Sequence, residues 1–295
     1  MAARTSVFVG MVAVVLVVLV SSAWAQAPSG AELAERLQSA VDAMQKVLKP
    51  GPADIPLGDQ GRLHVPENTG FVRQPEAGAW AEVSGYEADK DMVGMVTPMV
   101  EGTNWVAFID YHAAGHVSDE DAKGWSADEL LQSLKASTEA GNADRQKRDM
   151  PQLTVSGWLV PPAYDADTHK LIWAAKTPQK GDNEGDDDGS ANVHGFVLGK
   201  DGYFEMTLVA PAGEVAGYET TARGILSGLA FNAGSRYSDQ TIGSGGKSIT
   251  ALISTPAPGL LVKITGILAT PWPWLAIGFC FVIVGIFGMR RSVRR

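Results

Sequence analysis

The chain has 295 residues, with 24 basic and 33 acidic side chains, a formal charge of -9 at pH 7 and 45% hydrophobic content. Such a balance disfavours nucleic acid and anionic surfaces as partners, and the length is ample for a packed core. The one cysteine, Cys280, lies in an apolar run near the carboxyl end, so no disulfide framework supports the rest and packing must do so.

At the amino end, Arg4 precedes an apolar stretch from Val7 to Val20, and Ala23-Trp24-Ala25 supplies an A-x-A cleavage signal before Gln26. Residues 1–25 therefore read as a secretory signal peptide. Setting aside Arg4 and the four tail arginines leaves 19 basic against 33 acidic residues, about -14, on the exported part.

Residues 26–239 read as that exported domain. Ser29 and Glu32 form a capping box for a helix over 29–49, with apolar positions at Leu33, Leu37, Val41, Met44 and Leu48, closed by Lys49-Pro50-Gly51. Short extended pieces follow at Ile55 to Leu57 and Leu63 to Val65, then a short helix near Ala77 to Tyr86. Met92 to Val100 and Trp105 to Tyr111 have strand composition around the turn Glu101-Gly102-Thr103-Asn104. Ser126 and Glu129 cap a second helix carrying Leu130, Leu131 and Leu134, whose polar end from Asn142 to Arg148 is expected to project into water.

Leu153 to Val160 and Lys170 to Ala175 read as strands joined by a loop from Pro161 to Asp167. Val193 to Leu198 and Tyr203 to Ala210 flank a tight hairpin at Gly199-Lys200-Asp201-Gly202, and Glu214 to Phe231 has helical spacing. Turns rather than crossover helices join most strands, so the fold class is α+β, a largely antiparallel sheet packed with helices. Trp80, Trp105, Trp125, Trp158 and Trp173 are taken as core.

Residues 240–266 read as a linker and interfacial segment, and 267–289 as one transmembrane helix whose Pro271-Trp272-Pro273-Trp274 start suits the headgroup level. Residues 290–295 form an Arg-rich tail held on the cytoplasmic side. Partners so implied are the membrane and an envelope protein, with no nucleic acid.

Three patterns invite chemistry. Gly246-Lys247-Ser248 mimics a phosphate loop, but Thr241 stands where its first glycine belongs, and Ser244 with Lys247 fits S-x-x-K without companion motifs. The acidic stretch Gly181 to Gly189 offers Glu184, Asp186 and Asp188 at calcium-loop spacing, yet Gly195 occupies the place of the closing bidentate glutamate. His112 and His116 stand near Asp119, Glu120 and Asp121, metal-ligand types in a stretch that reads as strand and loop rather than one helical face. His64, His169 and His194 read as surface or sheet residues. No metal, cofactor or catalytic set is therefore expected.

The segments Asp119 to Leu131, Gly157 to Asp165, Gly202-Tyr203-Phe204 and Phe231 to Tyr237 resemble a bacterial family of uncharacterised membrane-anchored proteins, domain of unknown function 2167, over about Leu57 to Asp239. That resemblance implies the cell envelope of Gram-negative bacteria and no established activity. The order of strand, hairpin and final helix is also similar to the sandwich of the PsbP and Mog1 type. Two readings follow: a non-enzymatic binding or accessory module, anchored in the inner membrane and facing the periplasm, or a periplasmic hydrolase or metal-dependent enzyme using dispersed residues such as His112, His116, Glu120 and Asp121.

Overall fold

Both expected hairpins form, and they make the centre of the sheet in the computed structural model, which describes residues 30–86, 90–147, 150–181, 190–240 and 247–254. In chain order the elements are α1 (Gly30–Val47), β1 (Lys49–Pro50), β2 (Ala53–Leu57), β3 (Gly61–Val65), β4 (Thr69–Arg73), α2 (Glu76–Val83), β5 (Met92–Pro98), β6 (Val106–His112) and β7 (Val117–Ser118). A 3-10 turn at Glu120–Gly124 leads to α3 (Ala127–Lys147), β8 (Gly157–Asp165), β9 (Lys170–Lys176), β10 (Ser190–Leu198) and β11 (Tyr203–Pro211). Then come α4 (Glu219–Gly228), β12 (Leu229–Phe231), β13 (Lys247–Ser248) and α5 (Ile249–Ser254).

The large sheet is antiparallel throughout, in the order β1-β4-β5-β6-β11-β10-β9-β8. The fold is thus α+β, as the turn-rich pattern predicts. One face of the sheet carries Phe204, Met206 and Leu208 of β11 with Ala107 and Ile109 of β6, and packs on α4 and a small sheet ordered β12-β3-β2. The other face is covered in two halves. Val41 and Met44 of α1 and Trp80 and Ala81 of α2 lie over Met95, Phe108 and Val209. Leu130 and Leu134 of α3 join Ile249, Leu252 and Ile253 of α5 over Leu171, Trp173, Phe196 and Leu198. At roughly 1.5–3 kcal/mol per buried large apolar side chain, these three clusters are what holds a disulfide-free domain together.

Four expectations change. Pro161 and Pro162 lie inside β8 rather than in a connecting loop. They are tolerated because β8 is the last strand of the sheet, paired only with β9, and its register shifts between Trp158 and Val160 and again between Val160 and Ala163. The helix expected to reach Phe231 stops at Gly228, where a Cβ would collide with the His64 carbonyl, and Leu229–Phe231 continues as a strand on β3.

The polar end of α3 is not wholly in water either. Asn142 is buried, donates to the Leu153 carbonyl at 2.9 Å and accepts the Leu153 N–H at 2.9 Å, while Arg145 Nε donates to the Pro151 carbonyl at 2.8 Å. The helix end is thereby sewn to the segment that leads into β8. Finally, the span 240–266 is not all linker: Lys247–Ser248 pairs in parallel with β7, and Ile249 and Ile253 of α5 are fully buried. The signal peptide at 1–25, the transmembrane helix at 267–289 and the tail at 290–295 lie outside the described residues. Among the described residues no helix is long and apolar enough to cross a membrane.

Replacing Asn142 by Ala strands both backbone groups of Leu153, so Asn142→Ala is expected to cost about 1–3 kcal/mol, measured by urea denaturation.

Candidate functional site: an aspartate clasp and a buried imidazole–carboxylate row

Asp119 follows β7 and turns its side chain between two phenols from distant parts of the chain. Tyr164, on β8, donates to Oδ2 at 2.6 Å, and Tyr237 donates to Oδ1 at 3.0 Å while accepting the Asp119 N–H at 3.2 Å. Tyr164 also meets His169 Nδ1 at 3.0 Å. His169 sits in the β8–β9 turn with a left-handed backbone, φ 52°, which aims its ring back over Tyr237 at a 4.1 Å centroid distance. His116 tilts against the same phenol ring at 4.7 Å.

Burial opposes ionisation of Asp119, but hydrogen bonds from Tyr164 and Tyr237, and then the nearby His169, outweigh it and hold the carboxyl below its ordinary value. The converse holds for the phenols: burial and the Asp119 carboxylate push Tyr237 up to about 12 and Tyr164 higher still. The group is therefore one anion between two neutral donors across the ordinary pH range. Both carboxylate oxygens are occupied, so Asp119 is built to fasten chain segments rather than to take a proton from a bound molecule.

The next residues fasten α5. Thr250 of α5 donates its N–H to Asp121 Oδ2 at 3.3 Å, and its Oγ1 accepts from Trp125 Nε1 at 2.9 Å. Trp125 lies against Tyr164 at 6.3 Å, and Trp158 Nε1 donates to the Ala127 carbonyl at 3.0 Å. Gly202 belongs to the same region, because a Cβ there would strike the His112 carbonyl and push away the loop that leads to β7. Three of the four segments that carry the family resemblance thus meet around Asp119, and the fourth lies under the loop beside it.

A second polar group runs along the helix-covered face of the sheet. Directly opposed residues of antiparallel strands share a face, so Trp173, His194, Thr207 and Phe108 form one row, with Glu205 and Asp110 in the next but one and Tyr203 and His112 two positions beyond. Diagonal neighbours then touch. His112 Nε2 stands 3.2 Å from Glu205 Oε2, His194 Nδ1 stands 3.4 Å from Glu205 Oε1, and His112 Nδ1 lies 3.3 Å from Asp91 Oδ2. Trp173 stacks on His194 at 4.3 Å and Tyr203 tilts against His112 at 4.9 Å. Glu205 is 3% exposed. Burial works against its charge, yet the hydrogen bonds and charges of the two imidazoles prevail and hold its carboxyl down to about 2. Asp91 is also held low, first by the Lys90 ammonium and further by His112, against some cost of burial.

The residues singled out by sequence are divided between these groups. His112 joins Glu205, His116 joins Tyr237, Asp121 holds Thr250, and Glu120 is exposed, so the four do not converge. The two imidazoles at Glu205 approach different oxygens, and among the described residues no group of three or more His, Cys, Asp or Glu could hold a metal ion. Gly181 is the only described residue of the acidic loop at 181–189, and the phosphate-loop mimic is described only at Lys247 and Ser248. His169, His194, Glu205, Tyr164 and Tyr237 were not expected to act together. Glu205 did carry a signal: an acid alternating inward with Tyr203 and Thr207 in an otherwise apolar strand must find a buried partner.

Fold and site together define an α+β domain whose polar interior is committed to joining its own segments. Residues 49–288 match the family described as "Protein of unknown function (DUF2167)", and the chain belongs to that family. The match takes in the docked segment at 247–254 and most of the apolar run beyond it. The solution structure of cyanobacterial PsbP (CyanoP) from Synechocystis sp. PCC 6803 is similar over 63% of this chain and 93% of that one, at 6% identity and a TM-score of 0.37, a likeness too distant to bear on function. No curated protein matches the chain.

Tyr164→Phe removes one of two hydrogen bonds to an ionised carboxylate and is expected to lower stability by about 1.5–3 kcal/mol in chemical denaturation. For Glu205 the sign follows from its depressed folded value. The unfolded chain takes up the proton near the ordinary 4.5 and the folded chain only near 2, so the stability it contributes is present above about 4.5 and is lost as pH falls toward 2. Glu205→Gln should be less stable at neutral pH and should lack that part of the acid slope when unfolding is followed against pH.

Proposed function

We propose that this chain is a membrane-anchored envelope protein whose domain serves as a non-enzymatic binding or accessory module on the periplasmic face of the bacterial inner membrane. The observation that carries this reading is the way the chain leaves the domain. Helix α5 is packed into the core as far as Ser254, and the apolar run begins at Leu260. Six residue steps span at most about 20 Å, so the domain would be held close against the surface that the run enters. The internal commitment of Asp119 and Glu205 adds support, since neither is presented as a free acid or base. The residues that the sequence offers for a periplasmic hydrolase or metal-dependent enzyme, such as His112, His116, Glu120 and Asp121, take different partners.

Fractionation of bacteria expressing the full chain tests the anchor: it should resist carbonate extraction and yield to detergent, while a chain ending at Ser254 should be released in soluble form. Crosslinking in intact membranes then tests the module, with a discrete, stoichiometric adduct expected from the full chain. A full chain found in the soluble fraction would end the anchor reading, and turnover of a substrate abolished by a single substitution would end the non-enzymatic one.

A further inference from the structure

The elements that fasten the end of the domain are short. Strand β13 has two residues and α5 six, and together they form the last described segment before the apolar run. A six-residue helix has no stability of its own in water, so residues 247–254 keep this geometry only while docked. Three aliphatic side chains, Ile249, Leu252 and Ile253, hold them, and the entropy of ordering eight residues opposes that burial with a free energy of similar size. The polar contacts of Thr250 with Asp121 and Trp125, and the pairing of Ser248 with Ser118, tip the balance toward docking. The preceding anchorage is of another kind, since Tyr237 both donates to and accepts from Asp119 and is stacked on His169.

We infer that Val117 to Trp125 is a two-point latch: its Asp119 end holds Tyr237 permanently, and its Asp121–Trp125 end holds Thr250 releasably, so that the docked state of residues 247–254 sets how far the domain can stand from the membrane. This inference rests on the apolar run being an anchor. Docked, the chain from Ser254 to Leu260 can span at most about 20 Å; released, the twenty steps from Gln240 to Leu260 can span at most about 70 Å. The latch thus changes reach roughly threefold without unfolding the sheet. A partner that lies beyond the short reach would favour release, and a partner at the bilayer surface would favour docking.

Native-state trypsin cleavage after Lys247 in the full chain reads the latch, because cutting there requires β13 and α5 to leave their places. The pair Asp121→Asn with Trp125→Phe should speed that cleavage about tenfold while sites within the large sheet stay resistant. Ser118→Cys with Ser248→Cys, in a Cys280→Ser background, should form a disulfide across the paired positions and suppress the cleavage until reductant is added. In vesicles of phosphatidylethanolamine and phosphatidylglycerol, a dye placed by Glu101→Cys in the same background should transfer less energy to a lipid acceptor in the Asp121→Asn, Trp125→Phe chain than in its parent. Cleavage at Lys247 at the parental rate in the double variant, or only together with cleavage throughout the sheet, overturns the latch. Failure of the parent to enter vesicles overturns the anchor reading instead, and the cleavage arm still decides whether the segment releases.

Discussion

Glu205 is a charge that cannot leave the middle of the molecule. It lies on a central strand, and the face it occupies is roofed by α1 with α2 on one side and by α3 with α5 on the other. An ionised carboxylate there has no access to bulk water, so its two imidazole neighbours must stay where the strand register places them. A one-residue slip of β10 or β6 against β11 would carry His194 or His112 to the opposite face and strip the charge of one of its two imidazoles. The apolar clusters supply most of the stability, while this row penalises every alternative registration of the three central strands.

The Asp119 clasp plays the corresponding part for the periphery. It ties the β7 segment, the β8 strand and the stretch after β12 at a single carboxylate, bringing together residues 45 and 118 positions apart in the chain. With Cys280 the one cysteine of the chain, no disulfide forms within it and charge-assisted hydrogen bonds do the cross-linking.

Much of the frame was legible because it depends on local pattern. The alternation in Tyr203 to Ala210, the Asp201-Gly202 turn and the leucines of α3 each identify their element without knowledge of the rest. The failures share a cause, which is tertiary position. Pro161-Pro162 argues for a loop unless the strand is known to lie at an edge, and Gly228 ends a helix only because the His64 carbonyl is pressed against it. The polar sites were less readable still. His112 and His116 look like partners because they are four residues apart, yet a strand end and a loop send them to different neighbours. Tyr164 and Tyr237, 73 positions apart, are ordinary aromatics until the fold sets one aspartate between them.

The proline edge has a consequence for how copies of the domain meet one another. A sheet of eight strands ordinarily offers two open margins, each able to recruit a strand from a neighbour. Here one margin is β8, bent by register shifts and lacking amide donors at Pro161 and Pro162, and the other is β1, two residues long and ending in Pro50. Copies brought to high local concentration collide often. With both margins blunted, those collisions do not seed edge-to-edge polymers, and the domain can be crowded without losing its individuality.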